Sequence, residues 1–128
     1  MQKIELIAIV GCGGFIGAAL RYIISLNAAK IFGVDFPYGT LIANVIGAII
    51  IGFVMKMSLD TSLITPNTKL FLTTGMMGGL TTFSTFSYET VTMINSGQYI
   101  LGAFNLGLNV VLSFAGVTLG MIIARLLV

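Results

Sequence analysis

Residues 75–89 read Gly-Met-Met-Gly-Gly-Leu-Thr-Thr-Phe-Ser-Thr-Phe-Ser-Tyr-Glu, and this stretch decides the fold. It lies within an apolar segment that extends from about Leu70 to Ile94 and carries no charge between Lys69 and Glu89. A segment of that length and character can span a membrane. Its centre nevertheless holds three glycines and five hydroxyl side chains. Because irregular backbone at membrane depth must be buried in protein or line a water-filled cavity, we expect a broken span with a functional site beside it.

The composition of the chain is that of an integral membrane protein. Of the 128 residues, 57% are hydrophobic and 8% are charged, whereas roughly a quarter of a typical soluble domain is charged. The net charge of +2 gives no electrostatic footprint for nucleic acid. The chain has one cysteine, Cys12, and no histidine, so it lacks a disulfide framework and the commonest general base. No nucleophile with a base and no phosphate-binding loop is visible, so we do not expect an enzyme.

Four apolar segments with short connections leave no room for a soluble domain. We therefore predict an all-α integral membrane protein with a single transmembrane domain, residues 1–128, whose third helix of four is broken near its middle. The predicted spans are residues 4–31, 38–57, 69–94 and 99–127. Gly13 and Gly17 in the first span, and Gly116 and Gly120 in the fourth, have the spacing that predicts close helix contacts. The basic residues favour the side of the termini only modestly, so membrane orientation is weakly specified.

Polar side chains inside the predicted spans are candidates for function because they are costly in lipid. Arg21 lies about two thirds of the way along the first span, where it either serves a functional site or extends to the interface. Asn44 in the second span serves either as interhelical glue or as a donor aimed at an anion in a pore. On the fourth span, Asn105, Asn109 and Ser113 recur every four residues. This spacing places them on one helical face, directed at another helix, an aqueous path or both.

Phe83 and Phe86 lie three residues apart, which places their rings on one helical face with roughly 4.5 Å of rise between them. Phenylalanines in lipid-embedded helices commonly serve packing alone. An aromatic ring also has a positive edge, however, and two such edges beside an amide such as Asn44 would form an uncharged site for a small dehydrated anion. Such a site can replace the water of the ion and still release it, as conduction requires.

Over nearly its whole length the sequence resembles the Fluc fluoride channels of microorganisms. The resemblance is carried by the run from Gly78 to Ser87, with Glu89 behind it, by Gly-Thr-Leu-Ile-Ala-Asn at residues 39–44, and by Gly-Ala-Ala-Leu-Arg at residues 17–21. It implies passive, selective export of cytoplasmic fluoride across the inner (plasma) membrane, and hence fluoride resistance. It also implies an antiparallel homodimer of dual topology with two pores, each built from both subunits.

The resemblance implies roles for individual pore residues. Fluoride would contact the ring edges of Phe83 and Phe86. The remaining pore residues would be Asn44, Ser113, Asn109, Thr40 and, at a vestibule end, Arg21. This chain departs from the family at Asn105 and Asn109, where an aromatic hydroxyl and a serine or threonine are expected. Because asparagine also offers donors, we expect conduction to survive this departure.

The resemblance further implies a structural sodium ion at the centre of the dimer. The backbone carbonyls of Gly78 and Thr81 from both subunits would hold it. This is consistent with physical chemistry, because a hard cation prefers oxygen ligands and an unwound glycine-rich backbone frees carbonyls that a helix would use. The expected partners are therefore fluoride, a second copy of the chain and membrane lipid.

Two other classes of membrane protein share some of these features. A small multidrug-type, proton-coupled transporter would also have four spans, but it needs a membrane-embedded carboxylate. The first span offers only Glu5, at its very end, which leaves Glu89 as the candidate proton carrier. A non-conducting assembly subunit would need only the glycine contacts, and it would leave Asn44 and the hydroxyl cluster without a shared purpose.

Overall fold

The computed structural model describes all 128 residues and contains helices but no strands. Its elements are α1 (Gln2–Phe32), α2 (Tyr38–Asp60), α3 (Pro66–Leu70), a π-helical segment (Phe71–Met77), α4 (Gly78–Leu80), α5 (Phe83–Asn95) and α6 (Tyr99–Leu127). Helices α1, α2 and α6 are each long and apolar enough to cross a membrane. The elements from α3 to α5 together form the third span. The prediction of an all-helical membrane protein is therefore confirmed.

The third span is broken near its middle, as predicted. Between α4 and α5 the backbone is extended, with φ −85° and ψ 155° at Thr81 and φ −149° and ψ 119° at Thr82. The Thr82 side chain then caps α5 by accepting a hydrogen bond from the N–H of Thr85 at 3.1 Å. We call this interruption, Thr81–Thr82, the break.

The part of the third span before the break begins at Pro66 and not at residue 69. Thr65 caps this start, because its hydroxyl accepts a hydrogen bond from the N–H of Thr68 at 3.2 Å. The segment Phe71–Met77 is π-helical, which we did not predict. Such segments are rare and are frequently found at functional sites.

Glycines bring α1 into backbone contact with the third span. A Cβ atom at Gly13 would come within 2.5 Å of the Phe71 carbonyl oxygen, and one at Gly17 would overlap the Met76 carbonyl. On the other side of the molecule, a Cβ at Gly120 of α6 would overlap the backbone of α2. The predicted close contacts at small residues are therefore present.

The break lets the third span change neighbours. Before it, the π-helical segment and α4 pack mainly on α1, whereas after it α5 packs mainly on α6. Helices α2 and α6 form the most extensive pair. Only 25 of the 128 residues are buried, so most apolar side chains face outward, where lipid or another protein can cover them.

Candidate functional site

Asn44 of α2 satisfies the backbone at the break. Its Oδ1 accepts a hydrogen bond from the N–H of Thr82 at 2.8 Å, and its Nδ2 donates to the Thr82 carbonyl at 3.2 Å. In a continuous helix, the N–H of Thr82 would donate to the Gly78 carbonyl four residues earlier. Because lipid offers no partner to a loosened backbone, this amide makes the break tolerable at membrane depth.

Buried amides of α6 continue the hydrogen bonding from Asn44. The Nδ2 of Asn44 also donates to Asn109 Oδ1 at 2.9 Å, and Asn109 Nδ2 donates to Asn105 Oδ1 at 3.0 Å. Asn105 Nδ2 in turn donates to the hydroxyl of Thr90 on α5 at 2.9 Å. Asn105 is 0% exposed and Asn109 is 4% exposed. Asn105 therefore faces a neighbouring helix, whereas Asn109 both bonds to a neighbouring helix and lines a cavity.

A cavity of about 380 Å³ lies beside the break. Most of the predicted pore residues line it, namely Asn44, Phe83, Phe86, Asn109 and Ser113. Gly78 and Thr81, the predicted sodium ligands, belong to the same wall. No charged side chain lines this cavity, so any ion in it would interact with amides, hydroxyls, backbone and ring edges.

Phe83 and Phe86 supply the aromatic part of the cavity wall. Their ring centroids are 5.5 Å apart and their planes meet at 64°, an edge-to-face arrangement. Phe86 is 5% exposed, whereas Phe83 is 80% exposed. The single chain therefore encloses one ring and leaves the other projecting from its surface.

Two predicted pore residues, Thr40 and Arg21, lie outside this cavity. Thr40 lines a second cavity of about 330 Å³ together with Thr85 and Glu89. The Oε1 atom of Glu89 is buried and has no hydrogen-bond partner. Arg21 Nε donates to the Gly79 carbonyl at 3.0 Å, so the guanidinium contacts the backbone of the third span.

The ligands that the break offers to a metal ion are backbone carbonyls and hydroxyls. No group of three or more His, Cys, Asp or Glu side chains lies close enough together to ligate one. The break supplies carbonyl oxygens, because the N–H of Thr82 turns to Asn44 and away from the Gly78 carbonyl. The carbonyls of Gly78 and Thr81 therefore have the chemistry that a hard cation prefers.

Two residues of this site were missed by sequence reasoning, Thr82 and Thr90. Thr82 provides both the backbone partner of Asn44 and the cap of α5. A threonine directly before the start of a helix is a preferred capping residue, and this preference could have revealed the cap at Thr82. Thr90 had no comparable signal, because its partner Asn105 is remote in the sequence and lies on another helix.

The chain is similar to known proteins over nearly its whole length. The family model described as "CrcB-like protein, Camphor Resistance (CrcB)" matches residues 8–121. A protein of Clostridium novyi named fluoride-specific ion channel FluC is 61% identical over 126 residues, which cover 98% of each chain. A protein of the same name from Clostridium perfringens is 60% identical over 127 residues, 99% of each chain. Another, from a Sulfurihydrogenibium species, is 41% identical over 127 residues, 99% of this chain and 100% of that relative.

Proposed function

This chain belongs to the CrcB family, and from that premise we propose that it is a fluoride-specific ion channel. It is a multi-pass membrane protein and not an enzyme. The observation that carries the proposal is that Phe83, Phe86 and Asn44 line one uncharged cavity at the break of a membrane span. Positive ring edges and polar hydrogens can bind a small anion there without the deep electrostatic trap of a charged side chain.

Ser113 is the side chain best placed to donate a hydrogen bond to fluoride. The other polar side chains that line the cavity already take part in hydrogen bonds within the chain: Asn44, Thr73, Thr81, Thr82 and Asn109. The Ser113 hydroxyl has no such partner, so it can replace part of the hydration of an arriving ion. Fluoride then passes down its electrochemical gradient, and export from the cytoplasm through the inner membrane confers fluoride resistance. Selectivity over chloride comes from a narrow site that fits the smaller ion.

We propose that a second copy of the chain covers the open side of the cavity. Phe83 is 80% exposed and Tyr88 is 74% exposed, and both lie on α5 with the exposed hydroxyl of Ser84. Hydroxyl groups at membrane depth need protein or water around them. An antiparallel homodimer of dual topology brings two such faces together and forms two pores from both subunits. The modest charge bias of the chain is compatible with insertion in both orientations.

A structural sodium ion completes the proposed dimer. The carbonyls of Gly78 and Thr81 from both subunits would hold it, and the loss of the helical partner of the Gly78 carbonyl at the break supports this assignment. The cation supplies positive charge near the middle of the membrane, where it lowers the cost of an anion in the adjacent pore. It serves assembly and is not transported.

Fluoride efflux from liposomes that contain the purified protein tests the role of the rings. Leucine fills much of the volume of phenylalanine but has no positive edge, so Phe83→Leu and Phe86→Leu should both reduce the efflux rate while the protein stays folded. Phe104→Leu is the matched control, because Phe104 is exposed on α6 away from the cavity. Wild-type efflux in both ring variants would refute the proposed contact between fluoride and these rings.

A further inference from the structure

We propose that Asn105 and Thr90 are positioning residues of the fluoride site, acting with Asn109 as a hydrogen-bond relay that fixes the direction of the Asn44 amide. This inference rests on the proposed channel function. Neither Asn105 nor Thr90 lines the cavity, so each acts through another side chain.

The relay begins and ends on backbone groups of one short segment, residues 82–86. At its start, the N–H of Thr82 donates to Asn44 Oδ1. At its end, the Thr90 hydroxyl donates to the Phe86 carbonyl at 2.8 Å. Between these ends, each side chain accepts from the preceding member and donates to the next, in the order Asn44, Asn109, Asn105 and Thr90.

The backbone ends determine the polarity of the whole relay. A backbone N–H can only donate and a backbone carbonyl can only accept. The oxygen and nitrogen of an asparagine amide are nearly equal in shape, so packing alone does not choose between the two flipped orientations. Flipping any one of the three amides would set donor against donor or acceptor against acceptor. The relay therefore selects one orientation for all of them.

This orientation matters because Asn44 and Asn109 both line the cavity. In the observed arrangement, the Nδ2 of Asn44 donates both to Asn109 Oδ1 and to the Thr82 carbonyl, and its Oδ1 accepts from the N–H of Thr82. The flipped amide would set its carbonyl oxygen against Asn109 Oδ1 and the Thr82 carbonyl, and these repulsions would displace the side chains that form the cavity wall. The relay thus holds the two amides of the cavity wall in fixed positions, in the same cavity that the free hydroxyl of Ser113 lines.

The relay also ties the ring-bearing turn to its surroundings. Phe83 directly follows Thr82, whose N–H begins the relay, and the backbone carbonyl of Phe86 ends it. From this turn the hydrogen bonds pass through α2 and α6 and return to α5. Loss of any link therefore loosens the rings and the amide together, since they share one closed loop.

Thr90→Val tests the relay at its far end. Valine keeps the branched shape of threonine but has no hydroxyl, so the Asn105 amide loses its acceptor. The loss of one buried hydrogen bond corresponds to about a tenfold change in the equilibrium between the ordered and the disordered arrangement of the site. We therefore expect the rate of fluoride efflux to fall by about that factor. Thr118→Val is the matched control, because the Thr118 hydroxyl bonds only to the Phe114 carbonyl in its own helix, at 3.0 Å on an exposed face. Its efflux should equal that of the wild type.

Thr90→Ser and a double variant separate positioning from a local packing effect. Serine restores the hydroxyl without the methyl group, so Thr90→Ser should recover most of the efflux. In an Asn105→Leu background the relay is already cut, so adding Thr90→Val should change efflux little. Equal efflux in Thr90→Val and the wild type would overturn the relay, as would failure of Thr90→Ser to recover efflux or additive losses in the double variant. A wild type that releases no fluoride would instead refute the proposed function.

Discussion

Substitution of Asn44 by leucine removes three hydrogen bonds at the break while largely preserving side-chain volume. Both backbone groups of Thr82 lose their partner, and so does the Oδ1 atom of Asn109. A buried polar group without a partner costs about 1–3 kcal/mol, so three such groups amount to about 3–9 kcal/mol. All three hydrogen bonds are only partly buried, which places the expected loss at the lower end of this range, about 3 kcal/mol.

The matched control for this change is Asn27→Leu. Asn27 also donates its amide to a backbone carbonyl, that of Ile23 at 3.0 Å, but it is exposed near the end of α1 and bonds to no other helix. Thermal unfolding in detergent should show a clearly lower midpoint for Asn44→Leu and almost no change for Asn27→Leu. Fluoride efflux from liposomes should fall strongly in Asn44→Leu and persist in the control.

The two measurements together can refute the reasoning about the break. If Asn44→Leu unfolded at the same temperature as Asn27→Leu, the backbone of Thr82 would not depend on this amide. If its efflux also matched the wild type, the role of Asn44 in positioning the cavity wall would be refuted as well. A stable variant without efflux would show that Asn44 matters for the ion path and not for the stability of the break.

Two further predictions concern the contacts between α1 and the third span. Gly79→Ala should lower the yield of folded protein, because its Cβ would overlap the Gly14 carbonyl oxygen and overpacking typically costs about 1–3 kcal/mol. Gly78→Ala should leave the fold of a single subunit intact, because the nearest atom, the Thr73 carbonyl oxygen, would be 3.8 Å away. Gel filtration measures the yield of folded protein for both variants, and equal yields would contradict this difference. Arg21→Met should lower the stability by about 1.5–3 kcal/mol through loss of a charged hydrogen bond to the Gly79 carbonyl. If Arg21→Met had the same unfolding midpoint as the wild type, this contact would contribute nothing to the stability of the protein.

The helical architecture could be predicted because hydropathy and glycine spacing are local signals. The apolar runs indicated α1, α2 and α6, and the glycines and hydroxyls of the third span indicated its break. The spacing of Gly13 and Gly17 likewise predicted the close approach of α1. The π-helical segment Phe71–Met77 was not predictable, because the composition of that segment does not distinguish it from an α-helix.

The candidate site was predictable in its members but not in its connections. The four-residue spacing placed Asn105 and Asn109 on one face, yet it could not show whether that face met a pore or another helix. Their partners, Asn44 and Thr90, lie on other helices, so only the tertiary structure pairs them. The hydrogen bond from Arg21 to the Gly79 carbonyl could not be predicted for the same reason.

Fluoride efflux measured before and after addition of a potassium ionophore, with chloride efflux in parallel, tests the channel function most directly. A passive fluoride channel moves net charge, so liposomes loaded with potassium fluoride should release fluoride only after the ionophore carries the compensating potassium, and they should retain chloride. Equal release of both anions would contradict selectivity. Fluoride release without the ionophore would contradict passive conduction, and if neither anion moved through well-folded protein, proton-coupled transport of organic cations through Glu89 would become the leading alternative.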